Sequence, residues 1–369
     1  MPKKSEVIII GGGAVGLSLA YYLLKKIIST IVVEGTYLNG GATGRNTGII
    51  KPYPQKAIDS GDQDLLELAN KSLSIHQKLS TETGINTFYR KSGCLRIAKN
   101  EDEMKSLERS NQFRELIKED VMTPQEISKK WDYLSVDNIL GGAYSSSTAM
   151  VHPFSLTWAF FESIKQLGGS VVKQNRVKEI TRKSNTYEIT SENDTYLSDK
   201  VVIASGIYSP EIAKMLNYNV PLNPIRREVL ISEPMRPFFG PCIERIKNNY
   251  LIAQTMRGEI IGTVGELTPG LDLNEVSSTF LNDFADETLD ILPSMSDLRI
   301  IRQWTGVQDI SPDRKPIIGE LDDGLYISCG YCDYGITLAP IVGRILSEEI
   351  IFKKKDPLVK QYSPKRFND

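Results

Sequence analysis

The glycine-rich segment at residues 11–16, Gly-Gly-Gly-Ala-Val-Gly, constrains the fold of this chain more than any other feature of the sequence. It follows a β-branched run at 7–10 and opens a stretch whose apolar side chains recur every three to four positions. A buried strand, a G-x-G-x-x-G turn and a helix in this order are typical of a unit that binds a dinucleotide. In such a unit Gly11 permits the tight turn, Gly13 lets the backbone approach a pyrophosphate, and Gly16 lets the helix pack closely on the strand.

An acidic residue ends the second strand of the same unit. Glu34 follows the apolar residues 31–33 and stands 18 residues after Gly16. The start of the intervening helix, at Ala14 and Val15, offers free N–H groups to phosphates, and a carboxylate at Glu34 can bind ribose hydroxyls. Such a carboxylate disfavours a 2′-phosphate, so NADP is not expected. Glycine spacing alone does not distinguish NAD from FAD, and a glycine turn without a ligand is the structural alternative.

The overall charge of the chain is close to neutral. It has 44 Lys and Arg against 46 Asp and Glu, a net charge of -2, which gives no general attraction to nucleic acid or anionic lipid. We therefore expect no nucleic-acid partner. No uninterrupted apolar stretch approaches about 18 residues, and the first apolar run, at 7–10, is too short for a signal peptide. These observations predict a cytoplasmic protein without a transmembrane segment, and 369 residues predict two domains.

The cysteines are too few and too scattered for a disulfide framework, with 4 in the whole chain. Cys329 and Cys332 make one C-x-x-C pair, which is half of a zinc site, and His76 and His152 are the only histidines in the sequence. A packing role for the pair is therefore favoured over a redox role, and no metal site is expected.

Hydrophobic periodicity and turn residues predict the remaining elements. Helices are expected at 63–83, 154–167, 273–291 and 338–352, with two shorter helices between 100 and 131. Strands are expected at 170–177, 186–190, 201–204, 250–254, 259–264 and 325–328. The proline-rich stretch 221–241 predicts edge strands and turns, and the charged stretch 353–369 predicts a solvated tail.

Further segments, taken with the glycine-rich unit, resemble the D-amino-acid oxidase superfamily of FAD-dependent oxidoreductases. They are the small-residue loop 41–50, the strand and turn 201–206, the segment W-T-G at 304–306 with P-D-R-K-P-I-I-G at 312–319, and the stretch 329–343. Within this superfamily they are most similar to segments of sarcosine oxidase β-subunits, dye-linked proline dehydrogenases and glycine oxidases. The resemblance spans nearly the whole chain, and it implies FAD rather than NAD.

The resemblance implies an α/β fold in which a Rossmann-like FAD-binding domain carries an inserted, mostly antiparallel substrate-binding domain. The expected FAD-binding domain comprises residues 1–83, 143–218 and 301–369, and the expected substrate domain comprises 84–142 and 219–300. Because a flavin carries out the redox chemistry itself, the protein is expected mainly to position the substrate beside it.

The resemblance also implies which residues contact FAD. They are Gly11, Gly13, Ala14, Val15, Gly16, Glu34, Gly35, Thr43, Gly44, Arg45, Asn46, Thr47, Val177, Ala204, Gly206, Gly306, Gly330, Tyr334, Gly335, Ile336 and Thr337. Gly306 stands where monomeric members carry the cysteine that links FAD covalently, so non-covalent FAD is expected. His152 aligns with the β-subunit histidine that carries a second flavin, FMN. Since the flanking residues match poorly, a cap or surface role for His152 is favoured, and FMN at this position is the alternative.

On the substrate side the chain departs from the family pattern. Gln308 and Asp333 stand where glycine-oxidase-like members carry carboxylate-binding arginines, and Thr337 stands where monomeric sarcosine oxidases carry a lysine. The usual Gly-His pair is replaced by Asp333 and Tyr334. The family's carboxylate clamp is therefore missing. Asp333 can pair with a substrate ammonium, with a polar turn residue as the alternative.

Two matches to the family's substrate site remain. Lys51 occupies a basic position of the flavin-proximal loop, and Tyr250 occupies the position of the family's substrate-facing tyrosine. A lysine is a point charge and holds a carboxylate less rigidly than an arginine does. The alternatives are an exposed loop lysine and a strand-packing tyrosine. The resemblance thus gives Lys51, Tyr250, Gln308, Asp333 and Tyr334 as candidate catalytic or substrate-binding residues.

The implied reaction is oxidation of the C–N bond of a small amino or imino acid, proline-, sarcosine- or glycine-like, by hydride transfer to flavin N5. The hairpin strand at 259–265 lacks the lysine that oxidases of this superfamily place over the flavin. We therefore expect a dehydrogenase more than an oxidase, with a dye, a quinone or a partner subunit as electron acceptor. The alternatives are a dehydrogenase of a 2-hydroxy acid or a glycerol-phosphate-like substrate, and a β-like subunit of a multi-subunit electron-transfer complex.

Overall fold

The computed structural model describes residues 2–367. Its α-helices, numbered in chain order, are α1 (Ala14–Lys25), α2 (Gln55–Ser60), α3 (Gln63–Thr83), α4 (Glu101–Ser110), α5 (Arg114–Ile117), α6 (Pro124–Lys130), α7 (Pro153–Gln166), α8 (Ser209–Lys214), α9 (Phe280–Ile291) and α10 (Gly335–Phe352). Its strands are β1 (Lys3–Lys4), β2 (Val7–Ile10), β3 (Thr30–Val33), β4 (Ile49–Ile50), β5 (Arg90–Lys91), β6 (Cys94–Ala98), β7 (Glu119–Met122), β8 (Gly141–Ser145), β9 (Ala149–Met150), β10 (Ser170–Val172), β11 (Val177–Lys183), β12 (Thr186–Ser191), β13 (Thr195–Ser198), β14 (Lys200–Ile203), β15 (Asn223–Pro234), β16 (Cys242–Arg245), β17 (Tyr250–Gln254), β18 (Glu259–Thr263), β19 (Thr268–Pro269), β20 (Ile300–Ile310), β21 (Ile317–Asp322) and β22 (Leu325–Cys329).

A six-stranded sheet, in the order β10-β3-β2-β14-β22-β21, is built around the glycine-rich unit. Its neighbours pair in parallel, except that β21 and β22 are antiparallel. One face of this sheet packs against helices, with Val7 and Ile9 in a common core with residues of α1 and α10. The other face packs against the strands β11, β12 and β13, with Ile8 and Ile10 in a second core, so every residue of β2 is buried. Because β2, β3, β14 and β22 run parallel, their carboxyl ends meet at one edge of the sheet.

A nine-stranded sheet forms the second large element of the fold. Its order is β19-β15-β18-β17-β16-β6-β8-β7, with β20 paired to β15, and its pairings are antiparallel except that of β6 with β16. One face packs under α9, where Tyr250 and Ile252 join Phe284 in a common core. The opposite face, with Leu251 and Ala253, joins the core that surrounds the six-stranded sheet. The predicted α/β fold with a mostly antiparallel second sheet is confirmed.

Two smaller sheets complete the fold. One has the order β1-β13-β12-β11 and the other has the order β4-β9-β5. In the second, Ile49 and Ile50 pair with Met150 and Ala149, which fixes the segment that runs from the 3₁₀ turn Ala42–Arg45 to the start of α2.

Most of the predicted helices and strands are present, with small shifts at their ends. The helix predicted at 63–83 is α3, and the hairpin predicted at 250–254 and 259–264 is β17 and β18. The helix predicted at 273–291 is wrong in its first turns, because α9 begins at Phe280. The segment 100–131 contains three helices and a strand instead of two helices. Within residues 2–367, no helix has both the length and the apolar character needed to cross a membrane.

The expectation of edge strands and turns at 221–241 is wrong for 223–234. There β15 pairs with β20 on one side and with β18 and β19 on the other. Pro224 and Pro234 lie near its two ends, where a missing N–H removes little of the ladder.

The prediction of a solvated tail at 353–369 is wrong for the part that the structure describes. Residues 357–362 and 364–367 form 3₁₀ turns, and Val359 and Tyr362 are fully buried. The Tyr362 hydroxyl donates to Asp62 at 2.9 Å. A few apolar and aromatic residues among the charges are thus sufficient to dock this segment. Residues 368–369 lie outside the described range.

Sheet membership bears on the expected domain boundaries. Residues 143–145 lie in β8 and residues 301–310 lie in β20, and both strands belong to the nine-stranded sheet. Boundaries after 145 and after 310 would keep that sheet intact. The division into two interrupted domains remains an interpretation, with the boundary at 142 moved to 145 and the boundary at 300 moved to 310.

Candidate functional site

A cavity of about 490 Å³ lies where β2, β3, β14 and β22 end. Ile10, Val33 and Ser328 contribute to one wall, and Val229 and Leu251 of the nine-stranded sheet contribute to the other. Open parallel sheets bind their ligands at this edge, and a volume of this order suits a small molecule. The cavity is therefore the candidate functional site.

The glycine-rich loop forms one end of the cavity. Gly11 has φ +118, and a Cβ there would lie 2.3 Å from the carbonyl oxygen of Ala204. The protein's own packing therefore requires this glycine. At Gly13 a Cβ would meet only Thr43 Oγ1, at 3.3 Å, so packing within the protein does not explain this glycine. Gly13 caps α1 without a side-chain hydrogen bond, and it fits a position that a phosphate approaches closely.

The Glu34 carboxylate is held firmly at the end of β3. One oxygen accepts the N–H of Gly12 at 2.7 Å, and the other accepts the N–H and the hydroxyl of Thr36, each at 2.8 Å. Glu34 lines the cavity on the same side as the glycine-rich loop. This placement fits a carboxylate that binds ribose hydroxyls.

Most residues that the sequence implied for cofactor binding line the cavity. They are Gly11, Gly13, Ala14, Val15, Glu34, Gly35, Thr43, Arg45, Asn46, Thr47, Val177, Ala204, Gly206, Gly306, Gly335 and Ile336. Because α10 begins at Gly335 with no side-chain cap, the positive end of its dipole also faces the cavity.

The other implied residues are not part of this lining, and contact between them and the cofactor stays a prediction. Gly16 and Gly44 serve the protein's own packing, since a Cβ at either would lie 2.1 Å from a backbone oxygen. The N–H of Gly330 donates to a buried carboxylate at 2.7 Å. The Tyr334 side chain is buried, and its hydroxyl accepts an N–H from the start of α2 at 3.0 Å. Thr337 is buried in the first turn of α10.

Tyr250 does not face the cavity, contrary to the expectation. Its side chain is fully buried on the α9 face of the nine-stranded sheet, with its hydroxyl 3.1 Å from Thr288 Oγ1 and its ring 5.7 Å from that of Phe284. Successive side chains of a strand alternate between faces, so the next residue, Leu251, lines the cavity instead. The strand-packing alternative describes Tyr250, and an apolar residue, Leu251, takes the cavity-facing position.

Lys51 lines the cavity, but a carboxylate already neutralises it. Its Nζ lies 2.7 Å from Glu244 Oε1, and both side chains are mostly buried. Burial opposes the charge on Lys51, but Glu244 and Asp333 outweigh it and raise the pKa of Lys51. Burial likewise opposes the charge on Glu244, and Lys51 overcomes it and lowers the pKa of Glu244. The two groups therefore form a charged pair near neutral pH.

Arg227, on β15, is a cavity residue that the sequence analysis missed. Its Nε donates to Thr263 Oγ1 at 3.1 Å, and its Nη2 donates to the carbonyl oxygen of Asn249 at 2.9 Å. Within residues 2–367 it forms no ion pair, whereas the adjacent Arg226 pairs with Glu275. The strand alternation of 223–234 could have placed Arg227 opposite Arg226, but the prolines led to a different prediction there.

Several other residues complete the wall on the substrate side. Gln308 and Asp333 line the cavity as expected from the resemblance. Leu271 and Leu273 also line it, from the segment between β19 and α9 that the sequence analysis assigned partly to a helix. Asp309, next to Gln308 on β20, is buried, and burial raises its pKa to about 6 although the N–H groups of Gly330 and Tyr331 oppose this shift.

The C-x-x-C pair is reduced and split between two environments. Cys329 is buried, while Cys332 is partly exposed and lines the cavity. Burial raises the pKa of both thiols, so neither is an activated thiolate. Across residues 2–367, no group of three or more metal-ligating side chains occurs.

His152 lies away from the cavity lining. Its Nδ1 accepts the N–H of Ser155 at 3.3 Å and caps α7, and its ring packs against Phe88 and Phe154. The cap therefore accounts for this histidine. A second flavin at His152 remains the alternative of the sequence analysis.

His76, on α3, supports the start of α10 from behind. Its side chain is fully buried, and its Nε2 lies 3.0 Å from the carbonyl oxygen of Ile336. Burial lowers the pKa of His76 to about 4, although bonds to the carbonyl groups of Ile336 and Thr337 oppose this shift. The imidazole is therefore neutral at pH 7 and donates from Nε2.

We expect acid to destabilise the protein through His76. The unfolded chain takes up a proton near pH 6.5 and the folded chain only near pH 4, so the contribution of this group is complete above pH 6.5 and is lost as pH falls toward 4. The difference corresponds to about 3 kcal/mol. Urea unfolding at pH 7 and pH 4.5 should show a smaller acid loss for His76→Gln than for the wild type. The raised pKa of Asp309 makes its contribution to stability larger in acid, but this contribution is the same in the wild type and in His76→Gln. An identical pH dependence in the two would contradict the assignment.

The sequence profile of a protein family described as FAD dependent oxidoreductase matches residues 6–349. The chain belongs to this family. The resemblance identified from the sequence motifs is therefore confirmed, and the cavity belongs to an FAD-dependent oxidoreductase.

Several relatives of this FAD-dependent oxidoreductase are similar over most of their length. It is 25% identical to the sarcosine oxidase subunit beta of Rhodobacter capsulatus, over 100% of this chain and 89% of that protein. It is 24% identical to the glycine oxidase of Bacillus subtilis, over 96% and 95% of the two chains. The solved structure of L-proline dehydrogenase from P. horikoshii superimposes with a TM-score of 0.92 at 25% identity, over 100% and 99% of the chains.

A more distant structure shows how widely the fold is used. The L-alpha-glycerophosphate oxidase of Mycoplasma pneumoniae, solved with FAD bound, superimposes with a TM-score of 0.82 at 18% identity, over 96% and 97% of the chains. This similarity concerns the fold alone.

Proposed function

We propose that this FAD-dependent oxidoreductase oxidises the C–N bond of a small amino or imino acid, proline-, sarcosine- or glycine-like. FAD, when bound, takes up the hydride that leaves the carbon beside the nitrogen. The cavity fits this cofactor through the uncapped start of α1, the close approach that Gly13 permits and the fixed carboxylate of Glu34. Gly306 offers no side chain for a covalent link, so we propose non-covalent FAD.

The observation that carries the proposal is the pairing of charges in the cavity lining. Arg227 supplies a cation that forms no ion pair within residues 2–367, although it lies close enough to Glu244 to help lower the pKa of that carboxyl. Asp333 supplies a carboxylate close enough to help raise the pKa of Lys51. A substrate with both a carboxylate and an amine needs one group of each sign. Val229 and Leu251 lie on the same wall and exclude water, which strengthens both interactions.

A dye-reduction screen tests the proposal. The purified protein is supplied with an artificial electron acceptor and with proline, sarcosine, glycine, D-amino acids, 2-hydroxy acids or glycerol phosphate. We expect turnover with a compound that carries both a carboxylate and an adjacent amine or imine. Turnover with the hydroxy compounds alone would favour the alternative dehydrogenase.

A second candidate is a β-like subunit of a multi-subunit electron-transfer complex. The similarity to a sarcosine oxidase subunit beta covers the whole of this chain. In addition, Phe154 and Trp158 lie one turn apart on α7 with about half of each side chain exposed, 51% and 49%. Size-exclusion chromatography of the native protein distinguishes this candidate from a free-standing enzyme, because a partner subunit would co-elute.

We expect the reduced protein to react slowly with oxygen and to pass its electrons to a dye, a quinone or a partner subunit. A cation beside the reacting atoms stabilises an anion that forms there. Residues 259–265 contain no lysine or arginine that could supply this cation. Lys51 lines the cavity, but Glu244 neutralises its charge. A product carboxylate bound at Arg227 would neutralise that cation as well. Stopped-flow reoxidation of the substrate-reduced protein, with product still bound, should therefore be slow for the wild type in air-saturated buffer.

The Glu244→Gln variant tests the reason for this slow reoxidation, because it removes the carboxylate bound to Lys51 and leaves only the more distant Asp333 to hold the Lys51 charge. It should reoxidise several-fold faster than the wild type. Glu320→Gln, which removes one of the two acidic partners of Lys353 at the surface, is the matched control and should leave the reoxidation rate unchanged. Rapid reoxidation of the wild type with peroxide as product would show an oxidase.

A further inference from the structure

We propose that Arg227, rather than Lys51, binds the substrate carboxylate and so sets the specificity for carboxylates. This inference rests on the proposed function. The family positions that usually carry the anchoring arginines hold Gln308 and Asp333 in this chain. The structure brings an arginine into the cavity from a different strand, β15.

The backbone on either side of Arg227 is fixed. Arg227 lies in β15 and pairs with Gly306 of β20. On its other side β15 pairs with β18 and β19. Alternation along the strand places Arg227 and Val229 toward the cavity, while Arg226 and Glu228 are not part of the cavity lining. Gly306 has no side chain, and a Cβ there would lie 3.2 Å from the Cβ of Arg45, so this glycine lets the turn Ala42–Arg45 approach the strand pair closely.

The guanidinium is oriented by neutral acceptors. Its bonds to Thr263 Oγ1 and to the carbonyl oxygen of Asn249 use two of its five N–H groups. Nη1 makes no hydrogen bond within the described part of the chain. The remaining N–H groups can receive a carboxylate in a planar, two-point geometry.

Charge balance distinguishes Arg227 from the other cations of the cavity. Arg45 bonds to the carbonyl oxygen of Gly40, and Arg176 lies 3.5 Å from Glu211, both beside the nucleotide-binding loops. Lys51 is bound to Glu244 in a mostly buried pair. A carboxylate arriving at Lys51 would have to displace Glu244 and leave it buried without a partner, which is strongly unfavourable.

A carboxylate arriving at Arg227 displaces no acidic group. Val229, Leu251 and Val307 line the cavity around it and lower the local polarity, which strengthens the new ion pair. Gln308 lies two residues beyond Gly306 on the neighbouring strand, on the same face, and can hydrogen-bond to the same carboxylate. The inferred ligand class is therefore a small monocarboxylate whose nitrogen is left for Asp333.

The test measures ligand binding without turnover. The FAD-loaded protein is titrated with pyrrole-2-carboxylate, a planar analogue of an imino acid, and with neutral pyrrole-2-carboxamide, and the change in flavin absorption gives both dissociation constants. We expect Arg227→Gln to weaken carboxylate binding by roughly tenfold or more, with little effect on the amide. Arg227→Lys should be intermediate, because it keeps the charge and loses the fork.

Arg226→Gln is the matched control, since this neighbour pairs with Glu275 outside the cavity, and it should bind both compounds as the wild type does. In turnover with the substrate found by the screen, Arg227→Gln should raise KM more than it lowers kcat. Equal carboxylate binding by Arg227→Gln and the wild type would overturn the inference, and so would a loss of binding confined to Lys51→Met. Either result leaves amino-acid oxidation standing. Turnover confined to hydroxy compounds would instead contradict the proposed function.

Discussion

Replacing Gly13 by valine is expected to give a folded protein that contains no FAD. The Cβ would meet only Thr43 Oγ1 at 3.3 Å, so the chain itself can accept the change after a small shift. The added methyl groups would occupy the space through which a pyrophosphate approaches the uncapped start of α1. Flavin released by acid precipitation should therefore be absent from this variant and close to one per chain in the wild type.

Two further glycine variants make the result specific. Gly240→Val is the matched control: Gly240 is exposed, and a Cβ there has no atom within 4 Å, so the variant should keep its flavin. Gly11→Val should fail to fold, because its Cβ would lie 2.3 Å from a backbone oxygen at a positive φ. Circular dichroism distinguishes the two kinds of loss. A full flavin content in folded Gly13→Val would show that the loop is not the pyrophosphate site.

Replacing Glu119 by alanine is expected to lower the free energy of unfolding by about 3–5 kcal/mol, because it leaves a buried charge without a partner. Arg96 is fully buried, and its Nε lies 3.0 Å from Glu119 Oε1. Ser110 also bonds to Glu119, and the guanidinium lies 4.8 Å from the centre of the Tyr53 ring. Arg96 is also the ladder partner of Glu244, which holds Lys51 in the cavity wall, so loss of the network should also weaken flavin binding.

The neighbouring residue provides the control for this variant. Asp120 lies 3.3 Å from Arg114 in a pair whose side chains are 55% and 72% exposed, with Arg114 named first. Exposed pairs contribute about 0–1 kcal/mol, so Asp120→Ala should change stability little. Urea unfolding of the three proteins at pH 7 measures both effects. Similar losses for Glu119→Ala and Asp120→Ala would contradict the role given to the buried pair.

The part of the site that depends on local sequence could be predicted. The glycine-rich loop, the helix that follows it and Glu34 lie within 34 consecutive residues, and their spacing alone determines the geometry. The structure places Gly11, Gly13 and Glu34 together in the cavity lining for this reason.

The substrate side could not be predicted in the same way, because it depends on the register of strands far apart in the chain. A shift of one residue moves a side chain to the other face of a sheet. Tyr250 matches the family's tyrosine by position, yet it packs under α9 while Leu251 faces the cavity. The match of Tyr250 to the family motif did not specify which face of the sheet its side chain occupies.

Contacts between residues far apart in the sequence could not be predicted either. Lys51 and Glu244 are 193 residues apart, and no local pattern indicates that they pair. Arg227 was obscured because the prolines around it favour turns, although β15 continues between them as a strand with partners on both sides. As a result, the sequence analysis named Lys51 as the candidate cation, whereas the cavity geometry favours Arg227.

Anaerobic titration of the FAD-loaded protein tests the central claim most directly. Candidate substrates are added without oxygen or dye, and the visible absorption of the flavin is followed. The account predicts that a small amino or imino acid removes this absorption in stoichiometric amounts, and that the Arg227→Gln variant requires a much higher concentration. Loss of absorption with glycerol phosphate or 2-hydroxy acids, and with none of the amino or imino acids, would contradict it.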